Sequence, residues 1–309
     1  MRVKICSTTP TTYLFDSIQN EELKRYKTNL IVQKFSDGEI SPHFEDSIRG
    51  SQLYIFAETS NNLTELLLVI DCAKRSSAKH ITVILPYYGY GRQDKKESHR
   101  GGIGASCMAN LLETFVDRVV SVDLHAEQIE GMFKIPFEPI KGHSIFINSI
   151  KKIIKKPLTK FCSPDAGGVH RLKKYSEKTG LPFVFLEKER DRPNSIKEMI
   201  LIGDVEGYDI ILIDDMGDTC GTIKKAAEKL LEAGATSVSA VFTHGVLSKD
   251  AFKNLSEAPL TNLLISNTLP YYKNLGTLPY NFEVIDCMPV VEHVILNLIK
   301  DESISQIME

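Results

Sequence analysis

Short apolar runs rich in β-branched residues alternate along the chain with longer stretches in which apolar positions recur every three or four residues. Buried strands of a parallel sheet have the first pattern, and the helices that connect them have the second. The runs predict strands in both halves of the chain, at residues 3–6, 53–58, 81–85, 118–122, 160–163, 183–186, 210–214, 237–242, 263–266 and 282–286.

Two of the intervening stretches have an apolar stripe at helical spacing, which predicts amphipathic helices. The first stripe is Leu63, Leu66, Leu67, Ile70 and Ala73, and the second is Ile223, Ala226, Ala227, Leu230 and Leu231. We expect both stripes to pack in a core rather than to bind a ligand. Strands that alternate with helices are typical of an α/β fold with mainly parallel sheets.

Composition limits the function. The chain has 309 residues, of which 42% are hydrophobic and 25% charged, and this length is enough for two globular domains. Lys and Arg number 37 against 40 Asp and Glu, for a net charge of −3. General nucleic-acid binding needs a basic excess, so we expect no nucleic-acid partner.

The cysteines and the apolar stretches bear on location. The six cysteines lie far apart, with no C-x-x-C pair and no zinc-ligand spacing, which is typical of reduced thiols in a cytoplasmic protein. No apolar stretch approaches the ~18 residues that span a bilayer, and the N-terminus MRVKICSTTP lacks the apolar region of a secretion signal. We therefore expect neither secretion nor a membrane segment.

The strongest chemical signal follows the strand predicted at 210–214. Asp214 and Asp215 end this strand, and a loop of small residues, GDTCGT at 217–222, leads into a helix. Backbone N–H groups at a helix N-terminus bind phosphate, and carboxylates at a strand end bind sugar hydroxyls or hydrated Mg²⁺. The alternative is an Asp helix cap with an ordinary turn. It explains the pair less well, because two adjacent carboxylates at a buried strand end cost desolvation.

This loop is similar to the phosphoribosyl-diphosphate binding signature of the type I phosphoribosyltransferase fold. Other segments resemble motifs of one family, the ribose-phosphate diphosphokinases (phosphoribosyl-pyrophosphate synthetases). They are FSDGE at 35–39, PYYGYGRQDKK at 86–96, DLHAEQIEG at 123–131, SPDAGG at 163–168 and KERDRPN at 188–194. The motifs stand in the family's order with similar spacing and span nearly the whole chain, so together they are specific although each alone is weak.

The resemblance implies an α/β fold of two tandem type I phosphoribosyltransferase-like domains, each a mainly parallel sheet flanked by helices. Residues 1–145 would form the N-terminal domain with the ATP site. Residues 146–309 would form the C-terminal domain, with the ribose 5-phosphate loop and a catalytic flap, and its end would pack back on the N-terminal domain. A Lys-rich run with a proline at 151–160 marks the boundary region.

The resemblance also implies the reaction. The 1-hydroxyl of ribose 5-phosphate attacks the β-phosphorus of MgATP, giving phosphoribosyl diphosphate and AMP for nucleotide biosynthesis. Mg²⁺ is the implied cofactor. The implied assembly is a homo-oligomer, at least a dimer and as expected for the family a hexamer.

Matching positions suggest two substrate sites. For ribose 5-phosphate, the family resemblance implies that Asp214 and Asp215 bind the ribose hydroxyls, and that the loop Asp218, Thr219, Cys220, Gly221 and Thr222 binds the 5-phosphate. For ATP it implies Phe35, Asp37, Glu39, Arg92, Gln93 and Asp94. Phe35 would stack on adenine from a neighbouring subunit. Without its FSDGE context it would be interpreted as a core aromatic.

The same matching gives His125 and Asp165 as metal contacts, each at a strand end in one half, so that Mg²⁺ can sit between the domains. Mg²⁺ prefers oxygen ligands, so a histidine contact through water is expected. A lone histidine is more often structural, and only its motif favours the metal role. Lys188 and Arg190 would meet the negative charge of the transferring group, although their segment alone is typical of a solvated loop.

Ser47, Arg49, Arg100, Ser303 and Ser305 match positions of the family's allosteric site for phosphate or nucleoside diphosphate. The chain departs from the family nearby. Glycines at 101, 102 and 104 stand where the family has Pro and larger residues, which should loosen this segment, and the connection at 59–66 is shorter.

Two other functions stay open. A non-catalytic regulatory subunit of the same fold would bind active homologues, but it should have lost several of the residues above, which this chain retains. A salvage phosphoribosyltransferase would consume phosphoribosyl diphosphate. It would need one domain and one phosphate loop, which leaves FSDGE, RQD and KER without a role. The sequence therefore favours the active diphosphokinase.

Overall fold

The computed structural model describes residues 2–154, 157–192 and 195–305, except for the side chains of residues 188–198. It divides into two compact units, Met1–Lys141 with Met288–Glu309, and Gly142–Cys287. The boundary predicted between residues 145 and 146 falls inside the first helix of the second unit, which begins at Gly142.

The helices and strands follow one another as the sequence pattern indicated. In the first unit they are β1 Val3–Ser7, α1 Thr12–Asp16, α2 Glu21–Tyr26, β2 Leu30–Lys34, β3 Ile40–Phe44, β4 Gln52–Phe56, α3 Leu63–Arg75, β5 His80–Leu85, α4 Gly104–Glu113, β6 Arg118–Val122 and β7 Phe137–Ile140. In the second unit they are α5 Gly142–Ile153, β8 Thr159–Ser163, α6 Val169–Thr179, β9 Phe183–Arg192, β10 Ser195–Ile202, β11 Asp209–Gly217, α7 Gly221–Glu232, β12 Ser237–Gly245, α8 Ala251–Glu257, β13 Asn262–Ser266 and β14 Asn281–Ile285. The last helix, α9 Met288–Ile299, belongs to the first unit.

A parallel sheet in the order β1-β4-β5-β6-β7 forms the centre of the first unit. Its strands bury both faces, as expected for βαβ crossovers. The apolar stripe on α3 packs into this core through Leu66, Ile70 and Ala73. A separate antiparallel hairpin, β2-β3, lies outside the sheet.

The sheet of the second unit has the order β10-β9-β8-β11-β12-β13-β14. All pairs are parallel except β9-β10. From β8 the chain passes through α6 to β9 on one side, whereas β11 lies on the other side of β8. The strand order therefore reverses at the β8-β11 pair, and open parallel sheets bind ligands at the carboxyl ends of the strands at such a reversal.

All the strands predicted from the sequence are confirmed, with ends shifted by a few residues. Four strands were not predicted: β2, β3, β7 and β10. Pro42 in β3 and Pro139 in β7 interrupt the apolar pattern, and proline is tolerated there because both strands lie at an edge.

The C-terminal helix α9 is anchored in the first unit by a buried carboxylate. Glu292 accepts hydrogen bonds from the backbone N–H groups of Gln19 and Asn20, at 2.6 and 3.0 Å. Asn20 itself caps α2. Within the described ranges, no helix is long and apolar enough to cross a membrane.

Candidate active site

Asp214 and Asp215 lie near the carboxyl end of β11, at the reversal of strand order. The N–H of Asp215 donates to Oδ1 of Asp214 at 2.9 Å. Burial raises the pKa of Asp214 well above its usual range, the neighbouring carboxylates of Asp215 and Asp165 add to the shift, and Arg171 opposes it. Asp214 therefore lies among other carboxylates, and its assignment with Asp215 to the ribose hydroxyls stays a prediction.

Asp165 follows β8 on the adjacent strand. Its Oδ1 accepts a hydrogen bond from the Gly168 N–H at 3.2 Å, and Ser163 Oγ donates to its carbonyl oxygen at 2.7 Å. A Cβ on Gly168 would lie 2.1 Å from Ser163 Oγ, so the tight SPDAGG turn requires glycine there. The turn fixes Asp165 close enough to Asp214 for the two charges to interact.

The predicted ribose 5-phosphate loop, residues 217–222, links β11 to α7. Cys220 occupies the cap position before α7 in the left-handed region, at φ 59°, and its side chain does not cap the helix. The first-turn N–H groups therefore receive no hydrogen bond from the Cys220 side chain, and N–H groups at a helix N-terminus are suited to an anion. Gly221 and Thr222 lie in this first turn, half-buried, and Thr219 is exposed beside it.

Cys220 and Asp218 contribute to this loop differently from the threonines. Burial, followed by the charges of Asp218 and Asp214, raises the pKa of the Cys220 thiol to about 12, so the thiol stays neutral and carries no charge toward a phosphate. The Asp218 carboxylate accepts the hydroxyl of Ser248 at 2.5 Å. A carboxylate repels phosphate, so only the backbone of Asp218 suits the role that the sequence predicted.

The FSDGE motif forms the tip of the β2-β3 hairpin. The Phe35 N–H donates to the Glu39 carbonyl at 2.8 Å, the Gly38 N–H to the Phe35 carbonyl at 3.0 Å, and the Glu39 N–H to Asp37 Oδ1 at 3.0 Å. Gly38 has φ 95°, which glycine adopts without strain. The tip is well ordered by these bonds, yet the Phe35 side chain is 47% exposed.

The other predicted ATP residues lie between β5 and α4. The Gln93 N–H donates to the Tyr90 carbonyl at 2.9 Å, and Asp94 accepts a hydrogen bond from Gln128, which follows β6. A Cβ on Gly104 would lie 2.6 Å from Gln93 Oε1, so glycine at this departure from the family makes room for Gln93. Arg92 is exposed.

His125 lies beside this loop, also at the carboxyl end of the first sheet. Its Cβ is 3.7 Å from the position of a Cβ on Gly91, and its side chain is exposed. The structure thus brings His125 next to the segment that contains Arg92, Gln93 and Asp94. His125 belongs to the first unit and Asp165 to the second, so each predicted metal contact stands in its own unit.

The carboxylates at the end of β8 and β11 fit the cofactor that the resemblance implies. Asp165, Asp214 and Asp215 supply oxygen ligands whose mutual repulsion a hard cation would relieve. Mg²⁺ usually takes one or two protein carboxylates and completes its shell with water and substrate phosphates. No group of three His, Cys, Asp or Glu side chains converges as a metal site in the part of the chain that the structure describes.

Lys188 and Arg190 lie on the backbone of β9, opposite Met199 and Ile196 of β10. Their side chains fall outside the described part of the structure. The backbone extends the predicted strand at 183–186 into a hairpin, because β10 pairs with it antiparallel.

The predicted allosteric residues are all in the first unit and exposed. Arg49 Nη1 donates to Ser77 Oγ at 3.1 Å, and Ser303 Oγ donates to Ser305 Oγ at 3.1 Å. The grouping of these five residues into one site stays a prediction.

Sequence reasoning missed two residues that donate hydrogen bonds to the predicted ribose 5-phosphate loop. Ser248 bonds to Asp218, and Asn254 Nδ2 donates to the Thr219 carbonyl at 2.8 Å. Ser248 and Asn254 lie about thirty positions along the chain from the loop, in and after a turn whose non-glycine residues Leu247 and Lys249 have positive φ. A composition pattern does not reveal such a turn.

Comparison with known proteins gives matches over most of the chain. A family model described as the N-terminal domain of ribose phosphate pyrophosphokinase matches residues 3–115, and one described as a phosphoribosyl synthetase-associated domain matches residues 173–309. Ribose-phosphate pyrophosphokinase A of Dictyostelium discoideum is 42% identical over 282 residues, covering 89% of this chain and 88% of its own.

Two further relatives agree with these matches. The ribose-phosphate pyrophosphokinase of Campylobacter jejuni is 42% identical over 282 residues and covers 89% of both chains. The crystal structure of phosphoribosylpyrophosphate synthetase from Mycobacterium smegmatis superposes with a TM-score of 0.89 at 34% identity, covering 97% of this chain and 100% of that one.

Proposed function

The chain belongs to the ribose-phosphate pyrophosphokinase family and is a diphosphotransferase, and on that premise we propose how its residues carry out the transfer. The observation that carries the proposal is the pair Asp214–Asp215 beside the N-terminus of α7, which the Cys220 side chain does not cap, at the reversal of strand order. One end of this site suits a phosphate and the other a sugar.

Ribose 5-phosphate binds with its phosphate on the N–H groups of residues 218–222, where the α7 dipole favours negative charge. Thr219 and Thr222 add hydroxyl donors. The carboxylates of Asp214 and Asp215 accept hydrogen bonds from the ribose hydroxyls. Because the pKa of Asp214 is raised, sugar hydroxyls or a cation are favoured ligands there over a second anion.

ATP binds through the residues of the first unit. The exposed ring of Phe35 supplies a stacking surface for adenine, and Asp37 and Glu39 on the same hairpin tip supply polar contacts to the base. Arg92 supplies positive charge for the triphosphate, with Gln93 and Asp94 beside it. The exposure of Phe35 on an ordered tip supports its action on the site of a neighbouring subunit, and hence a homo-oligomer of at least two copies, with a hexamer expected.

Catalysis is positioning and charge stabilisation. The 1-hydroxyl oxygen of ribose 5-phosphate forms a bond to the β-phosphorus of ATP and loses its proton to water, the bond from that phosphorus to the α,β-bridging oxygen breaks, and AMP leaves. Lys188 and Arg190 meet the negative charge that develops on the transferring group. Asp165, and separately His125 through water, are the residues that would contact Mg²⁺, which when bound would neutralise phosphate charge. The free thiols of the described chain suit a reducing compartment, which supports a cytoplasmic location.

Asp214→Asn tests the sugar site. The variant should raise the KM for ribose 5-phosphate about tenfold, the effect of losing one charged hydrogen bond, while the KM for ATP changes less than about twofold. Asp204→Asn is the matched control, because Asp204 is in the same unit and 72% exposed. An unchanged KM for ribose 5-phosphate in Asp214→Asn would contradict the assignment.

A further inference from the structure

Three successive carbonyl groups of the ribose 5-phosphate loop are hydrogen-bonded by one segment of the chain. The Leu247 N–H donates to the Gly217 carbonyl at 2.9 Å, and the Ser248 N–H donates to the Asp218 carbonyl at 3.0 Å. Asn254 Nδ2 donates to the Thr219 carbonyl at 2.8 Å. We call residues 245–254, which supply these donors, the clamp segment.

These bonds determine the direction of the loop's N–H groups. A trans peptide is planar, with its C=O and the next residue's N–H on opposite sides. Carbonyls 217, 218 and 219 point toward the clamp segment, so the N–H groups of Asp218, Thr219 and Cys220 point away from it. Successive N–H groups turned to one side form an anion-binding concavity. The clamp segment therefore orients the donors on which the phosphate would lie.

The clamp segment also makes a hydrogen bond to the side chain of Asp218. Ser248 Oγ donates to Asp218 Oδ1 at 2.5 Å, in addition to the backbone bond between the same two residues. A free carboxylate at this point of the loop would compete with a phosphate for N–H donors and repel it. The Ser248 hydroxyl thus keeps the one acidic side chain of the loop occupied.

The backbone on both sides of Ser248 is strained. Leu247 and Lys249 both have a φ of 50°, in the left-handed region that residues other than glycine rarely adopt. Such strain persists only where the surroundings enforce it, and it concentrates at functional sites. Here the bonds to residues 217–219 coincide with the strained turn. An ion pair also joins α7 to α8, because Lys224 Nζ on α7 lies 2.6 Å from Glu257 Oε2 on α8.

We propose that Ser248 and Asn254 are positioning residues for ribose 5-phosphate: they turn the loop's N–H groups toward the 5-phosphate and hold the Asp218 carboxylate away from it. This inference rests on the proposed assignment of residues 218–222 to the 5-phosphate. Neither residue touches the reacting atoms, so both act on sugar phosphate binding and not on ATP binding.

The test is steady-state kinetics with each substrate varied in turn. Ser248→Ala should raise the KM for ribose 5-phosphate about tenfold, the effect of a lost hydroxyl–carboxylate bond, with the KM for ATP within about twofold of wild type. Asn254→Ala should raise the same KM by a smaller factor, about fivefold, because a neutral bond is lost. Ser256→Ala, on α8 like Asn254, removes a hydroxyl that donates to the Lys253 carbonyl within the same helix, and its KM values should match those of wild type.

A double-variant comparison separates positioning from general structural damage. If Ser248 acts by occupying the Asp218 carboxylate, Ser248→Ala should raise the KM for ribose 5-phosphate much less in an Asp218→Asn background than in wild type. Equal factors in both backgrounds, or equal increases for both substrates, would overturn the role of the hydroxyl.

Thr222→Ala distinguishes failure of this inference from failure of the loop assignment. If Thr222→Ala raises the KM for ribose 5-phosphate and Ser248→Ala does not, the loop binds the phosphate without help from the clamp segment, and the inference is wrong. If neither variant changes this KM, the loop does not bind the 5-phosphate, and both proposals fall.

Discussion

Gly217 is the last residue of β11 and the first of the predicted ribose 5-phosphate loop, and its lack of a side chain has a measurable consequence. A Cβ at this position would lie 2.5 and 2.6 Å from Cζ and Cε2 of Phe242, whereas ordinary carbon contacts are 3.4–4 Å. Phe242 is fully buried in the core of the second unit, so its ring has little room to move. The backbone of Gly217 is not in the left-handed region, so the clash is the only obstacle to alanine.

Gly217→Ala should lower the free energy of unfolding by about 1–3 kcal/mol, the usual cost of overpacking a core. Because the ring is displaced by nearly an ångström, we expect the upper half of this range. Urea unfolding followed by far-UV circular dichroism measures it, since the chain has no tryptophan. Gly131→Ala is the control, because a Cβ there meets nothing within 4 Å.

A double-variant cycle identifies the cause. Phe242→Leu removes the ring atoms that the new Cβ would meet, so Gly217→Ala should cost at least about 1 kcal/mol less in that background. Gly217→Ala with the stability of wild type, or with the same cost in both backgrounds, would refute the packing argument.

The remaining predictions concern the substrates and pH. Phe35→Ala should raise the KM for ATP about tenfold through lost stacking and leave the KM for ribose 5-phosphate unchanged; the opposite pattern would contradict the adenine role. Lys188→Ala should lower kcat at least about 100-fold with little change in the KM for ribose 5-phosphate, and equal losses in both would exclude a role confined to the transition state. The raised pKa of Asp214 means that folding disfavours the ionised carboxylate. The free energy of unfolding is therefore highest, as far as Asp214 is concerned, below pH ~4, and it falls as the pH rises through the raised pKa. Asp214→Asn should therefore raise the Tm of the ligand-free protein at pH 7 but not at pH 3.5, and the same shift at both values would contradict the pKa direction.

The sequence predicted those parts of the molecule in which local pattern and tertiary role agree. The buried strands of both sheets are continuous apolar runs. Most residues of the stripes on α3 and α7 are buried, and Leu63, Leu67 and Leu231 are half-buried. Asp214, Asp215 and the loop at 217–222 could be proposed as a site because a strand, two carboxylates and small residues follow one another directly in sequence.

What the sequence could not predict depends on contacts between distant segments. Ser248 is an ordinary loop serine until its bonds to Asp218 are known. The β2-β3 hairpin was missed because its apolar positions are interrupted by Pro42 and polar residues on the exposed face. The exposed ring of Phe35 follows from this hairpin, and composition alone would have placed it in a core.

The most direct test of the central claim is product analysis on the purified chain. ATP, Mg²⁺ and ribose 5-phosphate are incubated with it, AMP and phosphoribosyl diphosphate are quantified by chromatography, and each component is omitted in turn. Equimolar AMP and phosphoribosyl diphosphate, formed only when all three are present, is the predicted result. A folded, oligomeric sample that forms neither product would contradict the claim and favour a regulatory subunit of the same fold.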